Sequence, residues 1–128
     1  MKKIIRVIVA LPGILFVVIG LSWLVDPSGA AKNLGMTLFD GLGRSSQIAD
    51  FGAFFTTGGS MVLIGVITQK RTWLYAPAMM LCCAAVFRIL AWLIQGAAFA
   101  GPQIAVEVVL TALLLFAASR LPANDQLS

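Results

Sequence analysis

Histidine is absent from this sequence, and cysteine is almost absent. The lack of histidine excludes the most frequent protein ligand of haem and zinc, and every catalytic triad that needs an imidazole. The two cysteines, Cys82 and Cys83, are neighbours in an apolar run. Helical neighbours point about 100° apart, which disfavours both a disulfide and a shared metal. We therefore expect two small buried thiols, no metal site and no cofactor.

Charged residues are also scarce. Only 11% of the 128 residues are charged and 60% are hydrophobic, whereas a soluble domain has about 25% charged and 45–50% apolar residues. This composition predicts an integral membrane protein of one domain, in contact with the lipid bilayer. The net charge of +4 does not indicate nucleic acid, because most basic residues flank apolar runs, as membrane topology requires.

Four apolar runs predict four transmembrane helices, at about residues 7–25, 48–68, 74–98 and 103–119. At about 1.5 Å per residue, each run reaches or nearly reaches the length needed to cross a hydrocarbon layer of roughly 30 Å. The predicted fold class is all-α, an integral membrane four-helix bundle. An outer segment, residues 26–47, joins the first two spans, and a polar tail covers residues 121–128.

The basic residues predict the orientation of the spans. Most of them lie before the first span, between the second and third, and after the fourth, namely Lys2, Lys3, Arg6, Lys70, Arg71 and Arg120. Four crossings put these three regions on one side, and the positive-inside rule places that side, with both termini, in the cytoplasm. Residues 1–31 also resemble a cleavable signal peptide, but their apolar stretch exceeds the usual 7–15 residues. We expect a retained first helix.

The outer segment is rich in glycine and serine but includes apolar residues such as Leu34, Met36 and Leu38. A floppy connector would leave this apolar surface in water. Two structures would avoid that exposure: a short amphipathic helix in the membrane interface, or a fold over the outer end of the bundle.

Three ionisable residues, Asp50, Arg88 and Glu107, lie inside the predicted spans. The second span runs inward, so Asp50 is near the outer surface. The third runs outward, which puts Arg88 roughly 22 Å above its start, and Glu107 is about 7 Å below the outer end of the fourth. All three are therefore expected at one level, in the outer third of the bilayer.

Helical spacing adds polar neighbours to these three residues. Thr57 follows Asp50 by two turns, and Trp92 and Gln95 continue the face of Arg88. We expect these faces to meet around a polar pocket, although Trp92 also fits an interfacial anchor. The candidate ligand-binding residues are Asp50, Thr57, Arg88, Trp92, Gln95 and Glu107.

Two carboxylates and one guanidinium share this pocket. Pairing Arg88 between Asp50 and Glu107 would avoid the cost of about 2.5–3.5 kcal/mol for an unpaired charge deep in a bilayer. The spare carboxyl must then be protonated, pair with Lys32 or Arg44, or meet a cationic ligand or water. A neutral carboxyl would make Asp50 and Glu107 candidate catalytic acid–base residues. Alternatively, the cluster is a structural clamp that fixes helix register.

With Asp50, Gly58-Gly59, Arg88-Ile89-Leu90 and Glu107 in these places, the chain resembles a family of small bacterial four-helix membrane proteins, domain of unknown function 4345. The resemblance covers residues 50–118. It implies a four-helix membrane fold in a bacterial cytoplasmic (inner) membrane, without implying an activity. Gly52 stands where that family often has an arginine.

Three functions follow as hypotheses. The first is binding of a small apolar or amphipathic ligand in the outer-leaflet pocket. The second is an intramembrane acid–base enzyme, such as an isomerase that moves a proton between Asp50 and Glu107. The third is an accessory subunit of a larger membrane complex, or a homo-oligomer, with the charges as a clamp. Transport is the least favoured, because the sequence has no inverted repeat or broken helix.

Overall fold

The computed structural model describes residues 2–121, which form five helices and no strand. The helices are α1 (Lys3–Val25), α2 (Pro27–Asn33), α3 (Gly41–Thr68), α4 (Thr72–Gln95) and α5 (Gly101–Ser119). All except α2 are long and apolar enough to cross a membrane. The predicted helical class and the four candidate spans are confirmed. The predicted tail, residues 121–128, lies outside the described residues except for Leu121.

Five helix ends differ from the predicted spans. Helices α1, α4 and α5 begin at Lys3, Thr72 and Gly101 instead of residues 7, 74 and 103. Helix α3 begins at Gly41 instead of residue 48, because hydropathy marks where a helix enters lipid and not where its backbone hydrogen bonds begin. Helix α4 ends at Gln95 instead of residue 98. Gly96, which follows it, has a φ of +69° and donates its N–H to the carbonyl of Ala91. This left-handed glycine is a common way to end a helix.

Helices α1 and α3 form the most extensive helix pair, and α4 pairs with α5. Glycine allows the backbones of α1 and α3 to approach closely. A Cβ atom at Gly59 would lie 2.5 Å from the carbonyl oxygen of Gly13, so only glycine fits this crossing. Gly58 faces the side chains of Met80 and Phe16 at ordinary distances. The two neighbouring glycines therefore have different environments.

A buried apolar core joins the four long helices at the end that carries the N-terminus of α1. At the same end, Arg71 donates a hydrogen bond of 2.7 Å to the carbonyl oxygen of Leu121. The core residues come from the first turns of α1 and α4 and the last turns of α3 and α5, and include Val9, Val62, Val66, Leu74, Ala78, Leu81, Leu114 and Ala117. The helices are therefore tightly joined at this end.

The outer segment folds over the other end of the α1–α3 pair. Asp26 caps α2 by accepting a hydrogen bond from the amide of Gly29, and Ala30 and Ala31 of α2 pack on the fully buried Trp23. The following residues are held by Gln47, which accepts from the amide of Phe39 and donates to the carbonyl of Thr37. Of the two predicted structures for this segment, the one folded over the helix ends is observed.

The outward faces of the long helices carry many exposed large apolar side chains, such as Leu11, Val18 and Phe87. These faces are consistent with contact to a lipid bilayer. Cys82 and Cys83 are free and exposed on α4, so the prediction of buried thiols is wrong. With Leu81 and Ala85 on the inner face of α4, helical rotation turns both cysteines outward.

Candidate functional site

A cavity of about 580 Å³ lies between the α1–α3 pair and the α4–α5 pair. All four long helices line it, and Leu34 from the segment after α2 also contributes. The part of the cavity nearer to the apolar core has apolar walls, with Phe16 and Leu81 in its lining. Arg88 lies two turns further along α4, about 10 Å from Leu81 along the helix axis. The cavity thus has apolar walls near Leu81 and charged groups near Arg88, further from the apolar core.

Arg88 and Glu107 form an ion pair in the cavity wall. The Nε–H of Arg88 donates to both carboxylate oxygens of Glu107, at 2.9 and 3.0 Å. The Glu107 side chain is only 11% exposed, whereas that of Arg88 is 39% exposed. A buried carboxylate needs such a partner, because desolvating an unpaired charge is unfavourable. The pair also fixes the direction of the guanidinium.

The pair leaves most of the guanidinium unused. Arg88 has five N–H donors, and only its Nε–H has an acceptor among residues 2–121. The two terminal nitrogens therefore lie without a protein acceptor in the part of the chain that the structure describes. They are available to a polar group inside the cavity.

Asp50 lines the same cavity, but its carboxylate has no hydrogen bond or ion pair with the described residues. The expected bridge from Arg88 to both carboxylates is not formed, since Glu107 is the one carboxylate among residues 2–121 that Arg88 binds. Arg44, one of the other expected partners, donates to Asp40 at 3.0 Å and to the carbonyl of Phe39. Lys32 forms no ion pair with Asp50 either.

Three of the predicted ligand-binding residues, Thr57, Trp92 and Gln95, do not line the cavity. Thr57 is exposed on α3, because the contact of Gly59 with α1 fixes the rotation of α3 and turns Thr57 outward. Trp92 is exposed and packs edge-on against Phe99, with ring centroids 4.9 Å apart. Gln95 is exposed in the last turn of α4.

The cavity has an aromatic wall that the polar spacing did not indicate. Phe51, Phe54 and Phe55 of α3 all line it, together with Phe16 of α1. Phe16 and Phe55 meet edge to face, with centroids 5.1 Å apart. A signal was present in the sequence, since three phenylalanines occur within five residues of Asp50.

A second apolar space adjoins the cavity. This lateral groove has a volume of about 580 Å³ and runs along α3 and α4, which pack less extensively than the two main pairs. Phe54 and Ala84 line both spaces. At this point only these two residues separate the cavity from the lateral groove. The other groove residues are apolar or sulfur-containing: Ala76, Met79, Met80, Cys83 and Phe87.

The charged groups of the site are one guanidinium and two carboxylates. No group of three metal-ligating side chains occurs among residues 2–121. The site's polar chemistry is thus hydrogen-bond donation by Arg88 and acceptance by Asp50, with the amide of Gln103 as a further polar group in mostly apolar walls. Such a site can bind a molecule that is polar at one end and apolar at the other.

No family model matches this chain, and neither a curated protein nor a solved structure matches it. The resemblance to domain of unknown function 4345 stays a prediction.

Proposed function

We propose that this protein binds a small amphipathic molecule within the membrane, in the cavity between its two helix pairs. The observation that carries the proposal is the unused part of the Arg88 guanidinium in an apolar cavity of about 580 Å³. Ligand sites are commonly cavities of roughly 300–1,000 Å³ with mostly apolar walls and a few placed polar groups. Both properties are found here.

The ligand's polar group would accept hydrogen bonds from the terminal nitrogens of Arg88. Glu107 holds the guanidinium in place beforehand, so less conformational entropy is lost on binding. The apolar part would contact the aromatic wall of Phe51, Phe54 and Phe55. A longer chain would extend past Phe54 and Ala84 into the lateral groove and reach the surrounding lipid there.

The proposed setting is the outer half of a bacterial cytoplasmic membrane, with both termini of the chain inside the cell. The charge distribution supports this topology. Six basic residues lie at the end with the apolar core, whereas Lys32 and Arg44 lie at the other end near Asp26 and Asp40. The positive-inside rule then puts the cavity, which is nearer to α2, toward the outer leaflet.

The geometry favours binding over the alternative of a proton shuttle. A shuttle between Asp50 and Glu107 requires that both carboxyls reach the substrate. Both oxygens of Glu107 accept from Arg88, and its side chain is nearly buried. Only Asp50 has a carboxyl without a partner among residues 2–121.

Native mass spectrometry of the protein, extracted gently from its own membranes, tests the proposal. We expect a lipid-like adduct on the wild-type chain. Ala84→Trp places a large ring between the cavity and the groove and should remove the adduct. Ala53→Trp is the matched control, because Ala53 is exposed on α3 and does not line the cavity. A wild-type chain without adduct, or equal adducts on both variants, would contradict the proposal.

A further inference from the structure

Resting on the proposed function, we infer that Asp50 recognises a positively charged nitrogen in the polar part of the ligand. The ligand class is an amphiphile whose headgroup has both an ammonium group and an acceptor oxygen, as in a phosphoethanolamine lipid. Three features of the cavity lead to this class: its charge balance, the free carboxylate of Asp50 and the free nitrogens of Arg88.

The lining of the cavity holds two carboxyls and one guanidinium, a formal balance of −1. Glu107 pairs directly with Arg88, so Asp50, which is exposed, is the carboxyl without a basic partner among residues 2–121. The two basic side chains at this end of the molecule form no ion pair with it, since Arg44 is held by Asp40 and Lys32 has no ion pair with a described carboxylate. A ligand cation would balance Asp50, whereas an anionic ligand would add to the excess negative charge.

The free nitrogens of Arg88 set a second requirement. They need an acceptor, which a phosphate, carboxylate or carbonyl oxygen of the ligand supplies. A headgroup with an ammonium and an acceptor oxygen satisfies Asp50 and Arg88 together. Because both residues line one cavity, the same headgroup can contact both.

Two single-chain lipids with the same acyl chain provide the test. Lysophosphatidylethanolamine and lysophosphatidylglycerol share a phosphate, but only the first has an ammonium group. Binding of each to the purified full-length protein is measured by titration under native mass spectrometry. We expect the wild type to prefer the ethanolamine lipid by about tenfold, the effect of losing one charge-assisted hydrogen bond.

Asp50→Asn should abolish this preference and leave the thermal unfolding temperature unchanged, because Asp50 has no partner among residues 2–121. Asp26→Asn is the matched control. It removes the same charge near the same end of the molecule, and asparagine can also cap α2. Asp26 does not line the cavity and has no ion pair with a described residue, so the preference should persist.

The outcomes separate this inference from the proposed function. Equal, saturable binding of both lipids to the wild type would overturn the role of Asp50 and leave amphiphile binding intact. Loss of preference in Asp26→Asn to the same degree as in Asp50→Asn would also overturn it, since the effect would then come from surface charge. Binding of neither lipid would overturn both.

Discussion

Arg88 and Glu107, 19 residues apart in the chain, join α4 to α5 through one N–H group that donates to two oxygens, at 2.9 and 3.0 Å. This geometry gives the pair two roles. It pairs with a carboxylate that is nearly buried, and it holds Arg88 where that residue lines the cavity. The ion pair and the proposed ligand site therefore share Arg88, and substitutions can separate the two roles.

Removing only one partner of this pair should destabilise the fold. Glu107→Ala leaves the Arg88 charge in the cavity wall without its carboxylate. We expect the free energy of unfolding to fall by about 2–3 kcal/mol, below the range of fully buried pairs because Arg88 is partly exposed. Unfolding of the purified protein in mixed micelles measures this change.

Replacing both partners should restore the stability. The double variant Arg88→Met, Glu107→Leu has no unpaired charge and a similar side-chain volume, so its unfolding free energy should return to within about 1 kcal/mol of the wild type. It should still lose the bound amphiphile, because the donors of Arg88 are gone. A double variant that is stable and keeps its ligand would show that the pair has no part in binding.

The contact between α1 and α3 should be sensitive to a single methyl group at Gly59. Gly59→Ala puts a Cβ against the carbonyl oxygen of Gly13, so the helices must separate, and we expect a loss of about 1–3 kcal/mol. Gly58→Ala is the neighbouring control, since its Cβ would meet Met80 and Phe16 at 3.7 and 3.8 Å. Equal stability of the two variants would contradict this packing.

The hydrogen bonds of Gln47 should stabilise the segment that folds over the end of the α1–α3 pair. Gln47→Ala removes the hydrogen bonds of the Phe39 amide and the Thr37 carbonyl. Because Phe39 and Thr37 are exposed, we expect a cost of about 0.5–1.5 kcal/mol for each lost hydrogen bond. Hydrogen exchange at the Phe39 amide should accelerate. Ser46→Ala, next to it but exposed, should leave that exchange rate unchanged; the same acceleration there would contradict the role of Gln47.

The proposed topology predicts opposite accessibility of two exposed sites. In a background with Cys82→Ala and Cys83→Ala, a cysteine introduced by Asn33→Cys should react with a membrane-impermeant maleimide on intact cells. A cysteine introduced by Thr72→Cys, at the start of α4, should react only after permeabilisation. Both positions are exposed, so burial does not bias the comparison. The reverse pattern would invert the orientation.

Depth along the helices was predictable from the sequence, whereas rotation about their axes was not. The directions of the third and fourth spans placed Arg88 and Glu107 at one level, and the structure joins them. Thr57 was assigned to the pocket from its spacing to Asp50 alone. The contact of Gly59 with Gly13 decides which face of α3 meets α1, and that contact depends on a second helix.

The ends of the helices and the aromatic wall were also only partly predictable from the sequence. Hydropathy located the spans but not the start of α3 at Gly41, which extends beyond the apolar run. The polar spacing did not assign Phe54 and Phe55 to the pocket, and an apolar cavity wall has the same composition as a lipid contact. Only the packing of the two helix pairs tells these environments apart.

The central claim is that the cavity holds an amphipathic molecule with its polar group on Arg88. A density map of the protein, purified from its own membranes without added lipid, tests this most directly. The claim predicts elongated density between the two helix pairs, with its polar end within hydrogen-bonding distance of the terminal nitrogens of Arg88 and its tail against Phe54. An empty cavity, with the guanidinium closed onto Asp50, would contradict it.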